Sequence, residues 1–87
     1  MKIKEGFLLR NVAGSNVVVP VGEATLDFNG MMSLNDTGAF LFQKLMKGID
    51  KDQLIEALMA EYDVDKEVAA KDVEEFIVKV EREDLFE

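Results

Sequence analysis

Gly30-Met-Met-Ser-Leu-Asn-Asp-Thr-Gly-Ala-Phe-Leu-Phe42 is the stretch whose reading decides the fold. A short apolar run, Met31 to Leu34, passes straight into a helical pattern at Asn35 with no linker between them. Asn is a preferred N-cap because its side-chain oxygen accepts one of the first unpaired helix N–H groups. Asp36 then sits in the first turn, where the positive end of the helix dipole favours an anion. The chain therefore divides at this point into a sheet half (1–35) and a helical half (36–87), an α+β arrangement.

The 87 residues predict one domain spanning 1–87, with a core of modest stability. There is no cysteine, hence no disulfide or thiolate staple, and no histidine, which removes the commonest general base and metal ligand together. No run approaches the roughly 18–20 apolar residues of a membrane span, and Met-Lys-Ile-Lys-Glu-Gly at the start has no apolar signal core. A soluble cytoplasmic protein without a membrane partner is expected. The charge lies on one half: residues 36–87 carry seven Lys/Arg against fifteen Asp/Glu, and residues 1–35 sum to zero, so the whole −8 is helical. Such a surface repels a phosphate backbone, which argues against nucleic acid.

Before the central stretch, Phe7 to Ala13 and Asn16 to Val21 alternate as two strands. Gly14-Ser15 between them suits a type II′ hairpin with Ala13 opposite Asn16. The face carrying Leu8, Val12, Val17, Val19 and Val21 is then the expected core side, with Arg10 the exception. Pro20 marks a strand end or a bond-free edge position. Residues 22–29 read as a loop returning the chain to a third strand, although Asn29-Gly30 is also a turn signal able to close a second hairpin.

Three helices follow. The first is predicted from Asp36 to Lys47 with Gly48 as its stop. The second opens on a capping box of Asp50 and Gln53, with Ile49 and Leu54 as its staple and Leu54, Ile55, Leu58, Met59 and Tyr62 on one face. The third starts near Asp65 and carries Ala69, Val73, Phe76, Ile77 and Val80 on one stripe. Lys71, Glu74, Glu75, Lys79 and Arg82 form its outer, solvated face. Leu85 and Phe86 are expected to fold back onto the sheet.

Catalysis finds little support in these residues. The carboxylates lie at helix caps and on exposed faces, whereas an acid–base pair needs one partly dry cleft. Ser15, Ser33, Thr25 and Thr37 have no histidine to activate them. Asp50-Lys51-Asp52 lacks the later Gly and bidentate Glu of a calcium loop. A non-enzyme without metal or cofactor is expected. The third strand is more informative, because Met31, Met32 and Leu34 form a flat apolar segment without the Lys, Pro or bulge that usually blunts an edge. Adjacent methionines on a strand are as readily core filler. The alternative is β-augmentation: an extended peptide pairs along Met31 to Leu34 and sends side chains into pockets beside the third helix.

On these residues the chain resembles the PqqD-like proteins, stand-alone peptide-recognition elements of ribosomal peptide modification. Met32-Ser-Leu-Asn-Asp-Thr-Gly-Ala-Phe-Leu-Phe42 carries the resemblance, supported by the preceding hairpin, the spacing to Tyr62-Asp-Val-Asp65, and Asp72-Val-Glu-Glu-Phe-Ile77. The resemblance implies a small winged-helix-like fold of three antiparallel strands and three helices. It implies that a precursor's leader segment binds as an added strand between strand three and helix three, for presentation to a modifying enzyme, often a radical SAM protein. The positions it marks are Met31, Met32, Ser33 and Leu34 on the strand and Asp72, Val73, Phe76 and Ile77 on the helix, although Val73 and Phe76 fit the core equally. The Val18-Val-Pro-Val-Gly-Glu23 segment departs from the member that serves the PQQ cofactor pathway, which points to a different precursor and partner enzyme. Two other readings stay open: a winged-helix nucleic-acid-binding or regulatory domain, which Asp72, Glu74 and Glu75 on helix three disfavour, and a homodimer pairing through sheet edges.

Overall fold

The computed structural model describes residues 1–26 and 32–87. Strands β1 (Phe7–Val12), β2 (Ser15–Pro20) and β3 (Met32–Leu34) precede helices α1 (Asp36–Lys47), α2 (Lys51–Tyr62) and α3 (Lys66–Arg82). The strands form one antiparallel sheet in the order β1-β2-β3, an α+β fold. Gly22–Leu26, expected as loop, is a short 3₁₀ helix. Asn29-Gly30 and Met31 lie outside the described residues, so the second-hairpin reading falls there too.

The hairpin differs from expectation in its turn. The loop is Ala13-Gly14, not Gly14-Ser15, and Val12 pairs with Ser15. Ala13 (φ 52°) and Gly14 (φ 84°) both lie in the left-handed region, the type I′ conformation whose twist matches that of the flanking strands. Arg10 consequently pairs with Val17 and Leu9 with Val18.

The buried face is also the opposite of the one expected. Val18 is fully buried and Phe7 nearly so, while Leu8 and Val12 are 37% and 54% exposed. Phe7, Leu9, Val18, Met32 and Leu34 join the core under the helices. Arg10 and Ser33 flank Val17 on the outer face, and Val17 alone of that set is nearly buried. Arg10 is exposed on that face and keeps its charge in water, whereas the same Arg under a helix would have to be desolvated.

The helices begin where local chemistry places them. Asn35 Oδ1 accepts from Gly38 N at 2.7 Å, Asp50 and Gln53 close a reciprocal capping box, and Asp65 Oδ1 accepts from Val68 N. Gly48 (φ 92°) ends α1 and returns its N–H to the Leu45 carbonyl. Leu41, Phe42 and Leu45 from α1, Leu54 and Leu58 from α2, and Ala69, Val73 and Val80 from α3 are essentially inaccessible.

The two chain ends pair with each other by backbone. Ile3 and Phe86 form an isolated antiparallel bridge, Lys4 N donates to Leu85 O at 2.7 Å, and Ile3 N donates to Leu45 O. Leu85 is fully buried in the core beside Ile3. Leu85 and Phe86, expected to fold back onto the sheet, pair by backbone with the N-terminal segment, and their side chains join the same core cluster as Phe7, Val18 and Met32. Among the described residues, neither end covers β3.

Candidate functional site

Among the described residues β3 is an edge strand, paired through Asn16↔Leu34, Val17↔Ser33 and Val18↔Met32 on one side only. In an antiparallel ladder alternate residues turn both backbone groups toward the partner strand and the intervening ones turn both away. The Ser33 carbonyl accepts from the Lys79 ammonium of α3 at 3.3 Å, so Ser33 is the residue facing outward. Its side chain is exposed, while Met32 and Leu34 on either side are buried. β3 thus sends its side chains at these two positions into the core and keeps the Ser33 backbone for the edge.

Beside this edge lies a groove of about 280 Å³ between β3, the start of α1, and α3. That is below the range of about 300–1,000 Å³ usual for small-molecule pockets, and it suits one or two side chains of a chain lying across it. Leu34, Gly38, Leu41 and Phe76 form its apolar floor, Asn35 and Thr37 its end, and Asp72, Glu75 and Lys79 its charged wall. Gly38 is what lets the floor close. A Cβ there would lie 3.2 Å from Asn35 Oδ1 and 3.4 Å from both Leu34 Cβ and Phe76 Cε1.

Of the positions marked in the sequence, Leu34, Asp72 and Phe76 line the groove and Ser33 stands at its edge. Met32 and Val73 are core residues, Val73 completely so. Ile77 is half-buried against the core and does not line the groove. Met31 lies outside the described residues. Glu75 and Lys79, assigned by pattern to a solvated outer face, are exposed yet form the groove wall; Asn35, Thr37, Gly38 and Leu41 were not singled out as site residues. A signal for the wall was present, since Asp72, Glu75, Phe76 and Lys79 fall at i, i+3, i+4 and i+7, one line down a helix. Glu74, one residue round, instead pairs with Lys51 of α2 at 2.7 Å.

A three-stranded antiparallel sheet followed by three helices, with a groove beside its β3 strand, defines the class of fold. The profile of the PqqD family, described as Coenzyme PQQ synthesis protein D, matches residues 17–85, and the chain belongs to that family. Two solved structures share the fold. One, described as "TbiB1 in Complex with the TbiA(beta) Leader Peptide", is 22% identical with a TM-score of 0.75, covering 100% of this chain and 95% of that one. The other, "Lasso peptide synthetase B1 complexed with the leader peptide", is 18% identical with a TM-score of 0.69, covering 93% and 89%. No curated protein sequence matches the chain.

Proposed function

We propose that residues 1–87 act as one non-catalytic recognition unit in the cytoplasm. The unit takes up the leader segment of a ribosomally made precursor as a fourth strand on β3 and presents it to a modifying enzyme, in the first instance a radical SAM protein. The observation that carries this reading is the Ser33 backbone, turned outward from β3 beside a groove sized for side chains. Membership of the PqqD family supports it, as does the fold shared with two proteins whose descriptions name bound leader peptides. Asp72 and Glu75 in the groove wall count against a nucleic-acid ligand. Pairing of two copies through the same edge is the second reading, since an unpaired edge suits another copy as well as a peptide.

Ser33→Pro tests the reading directly. Proline removes the Ser33 N–H, which faces the edge, without taking a bond from the β2 ladder, and edge strands tolerate it. Labelled peptides from the amino-terminal halves of short reading frames neighbouring this chain's own are titrated against both forms. The expected dissociation constant for the unsubstituted protein is micromolar, about −8 kcal/mol, with a loss of at least roughly tenfold in the variant and an unchanged far-UV circular dichroism spectrum. Equal affinity of the two forms would remove β3 as the binding edge. Concentration-dependent light scattering that Ser33→Pro abolishes, in the absence of peptide, would favour the paired-copy reading.

A further inference from the structure

The groove wall carries its charges in a fixed order. Lys79 reaches Ser33 on β3, whereas Phe76, one turn earlier on α3, lies against Gly38 further along the chain, where both line the groove with Leu34. α3 therefore runs opposite to β3, with Asp72 and Glu75 toward the end of the strand that enters α1 and Lys79 toward its beginning. Among the described residues, none of these three side chains is in an ion pair. The Lys79 ammonium is instead placed on the very carbonyl that an added strand must engage.

Resting on the peptide-binding reading above, we infer that the groove selects an extended peptide by the order of its charges. A basic residue faces Asp72 and Glu75, an apolar residue two positions later sits over Phe76, and an acidic residue two positions after that meets Lys79. The order follows from strand direction. Antiparallel pairing, the commoner kind and the only kind in this sheet, runs the peptide in the same direction as α3, so its amino end lies at the carboxylates. The spacing follows from geometry. Asp72 and Lys79 are about 10 Å apart along the helix axis at 1.5 Å per residue, and four strand residues span about 13 Å with alternate side chains on one face. Side-chain reach closes that difference. Lys79 has two states in this scheme. Without peptide it caps the Ser33 carbonyl and blunts the edge; with peptide that carbonyl passes to a peptide N–H and the ammonium to the peptide carboxylate, so neither polar group is left unpaired.

Two synthetic, end-blocked peptides of identical composition test this: Thr-Lys-Thr-Leu-Thr-Glu-Thr and its reverse, Thr-Glu-Thr-Leu-Thr-Lys-Thr. Equal composition cancels any general attraction to a chain of net charge −8. Affinity is read by NMR titration to millimolar peptide, and edge pairing by hydrogen-exchange protection of the Ser33 amide. The first peptide is expected to bind about tenfold more tightly than the second, and the combined variant Asp72→Lys, Glu75→Lys, Lys79→Glu to reverse that preference. Should the triple variant lose its helices, Lys79→Met with a Glu→Gln peptide gives a double-mutant cycle, in which coupling is expected and additivity overturns the inference. Protection of Ser33 by both peptides with equal affinity overturns the charge order and leaves edge binding standing. Absence of Ser33 protection with either peptide removes the edge-binding reading, and this inference falls with it.

Discussion

Phe76 on α3 and Gly38 on α1 approach so closely that a Cβ on the glycine would stand 3.4 Å from the Phe76 Cε1 atom. The absent side chain lets the two helices meet there, and Gly38 and Phe76 together form part of the groove floor on which a guest would rest. Gly38→Ala should change stability by less than about 1 kcal/mol. The better helix propensity of Ala contributes roughly 0.8–1 kcal/mol, and crowding of the Asn35 cap oxygen at 3.2 Å offsets it. Gly38→Leu should fill the floor and weaken peptide binding by at least roughly tenfold with the helical signal retained, as measured by titration alongside circular dichroism. Undiminished affinity of the Leu variant would place the guest elsewhere.

The hairpin turn offers a stabilising substitution. Ala13 is held at φ 52°, a conformation that a residue with a simple Cβ disfavours and Asn tolerates. Ala13→Asn converts the loop to Asn-Gly, the strongest type I′ pair. Stability should rise by about 0.5–1 kcal/mol, which for a chain of this length lifts Tm by a few degrees. A lower Tm would contradict the turn assigned here.

Val73 and Asp72 are neighbours in sequence with opposite fates. Val73 is fully buried, so Val73→Ala should cost about 2 kcal/mol, from two lost methyl-sized groups and the cavity they leave. Asp72→Ala, at the groove wall, should leave Tm nearly unchanged and alter affinity for a peptide bearing a basic residue. Urea denaturation of both variants checks the contrast; similar stability losses would mean Asp72 has a structural role.

Asp65 caps α3 at its far end from Lys79, with its Oδ1 2.9 Å from Val68 N. Asp65→Ala should cost about 1 kcal/mol in chemical denaturation. Asp65 does not line the groove, so peptide affinity measured well below the unfolding transition should stay the same. A loss of affinity would show that fraying at Asp65 spreads to the wall at Asp72 and Glu75.

Arg10 illustrates how far pattern alone reaches. Alternation correctly groups Leu8, Arg10, Val12, Val17 and Val19 on one face of the hairpin, and the shifted turn preserves that grouping. Pattern does not tell which face is covered: four of the five are apolar, and by hydrophobicity alone they outweigh a single charge. The Arg was the better guide, since burying one unpaired charge costs more than exposing two aliphatic side chains. Glu75 and Lys79 show the same limit on a helix. Their exposure follows from periodicity, but a groove beside them exists only once β3 has docked against the same helix.

Helix ends, caps and the strand-to-helix junction at Asn35 were determined by the sequence alone, because each depends on groups within about four residues of one another. Asn35 with Gly38, Asp50 with Gln53, and Asp65 with Val68 find their partners in whatever tertiary setting the chain adopts. Tertiary structure alone decided which face of the hairpin is buried, that the chain ends pair with each other, and that Lys79 reaches Ser33 across 46 residues of chain. Those outcomes depend on which surfaces the packed helices leave open to water, and no local run of residues carries that information.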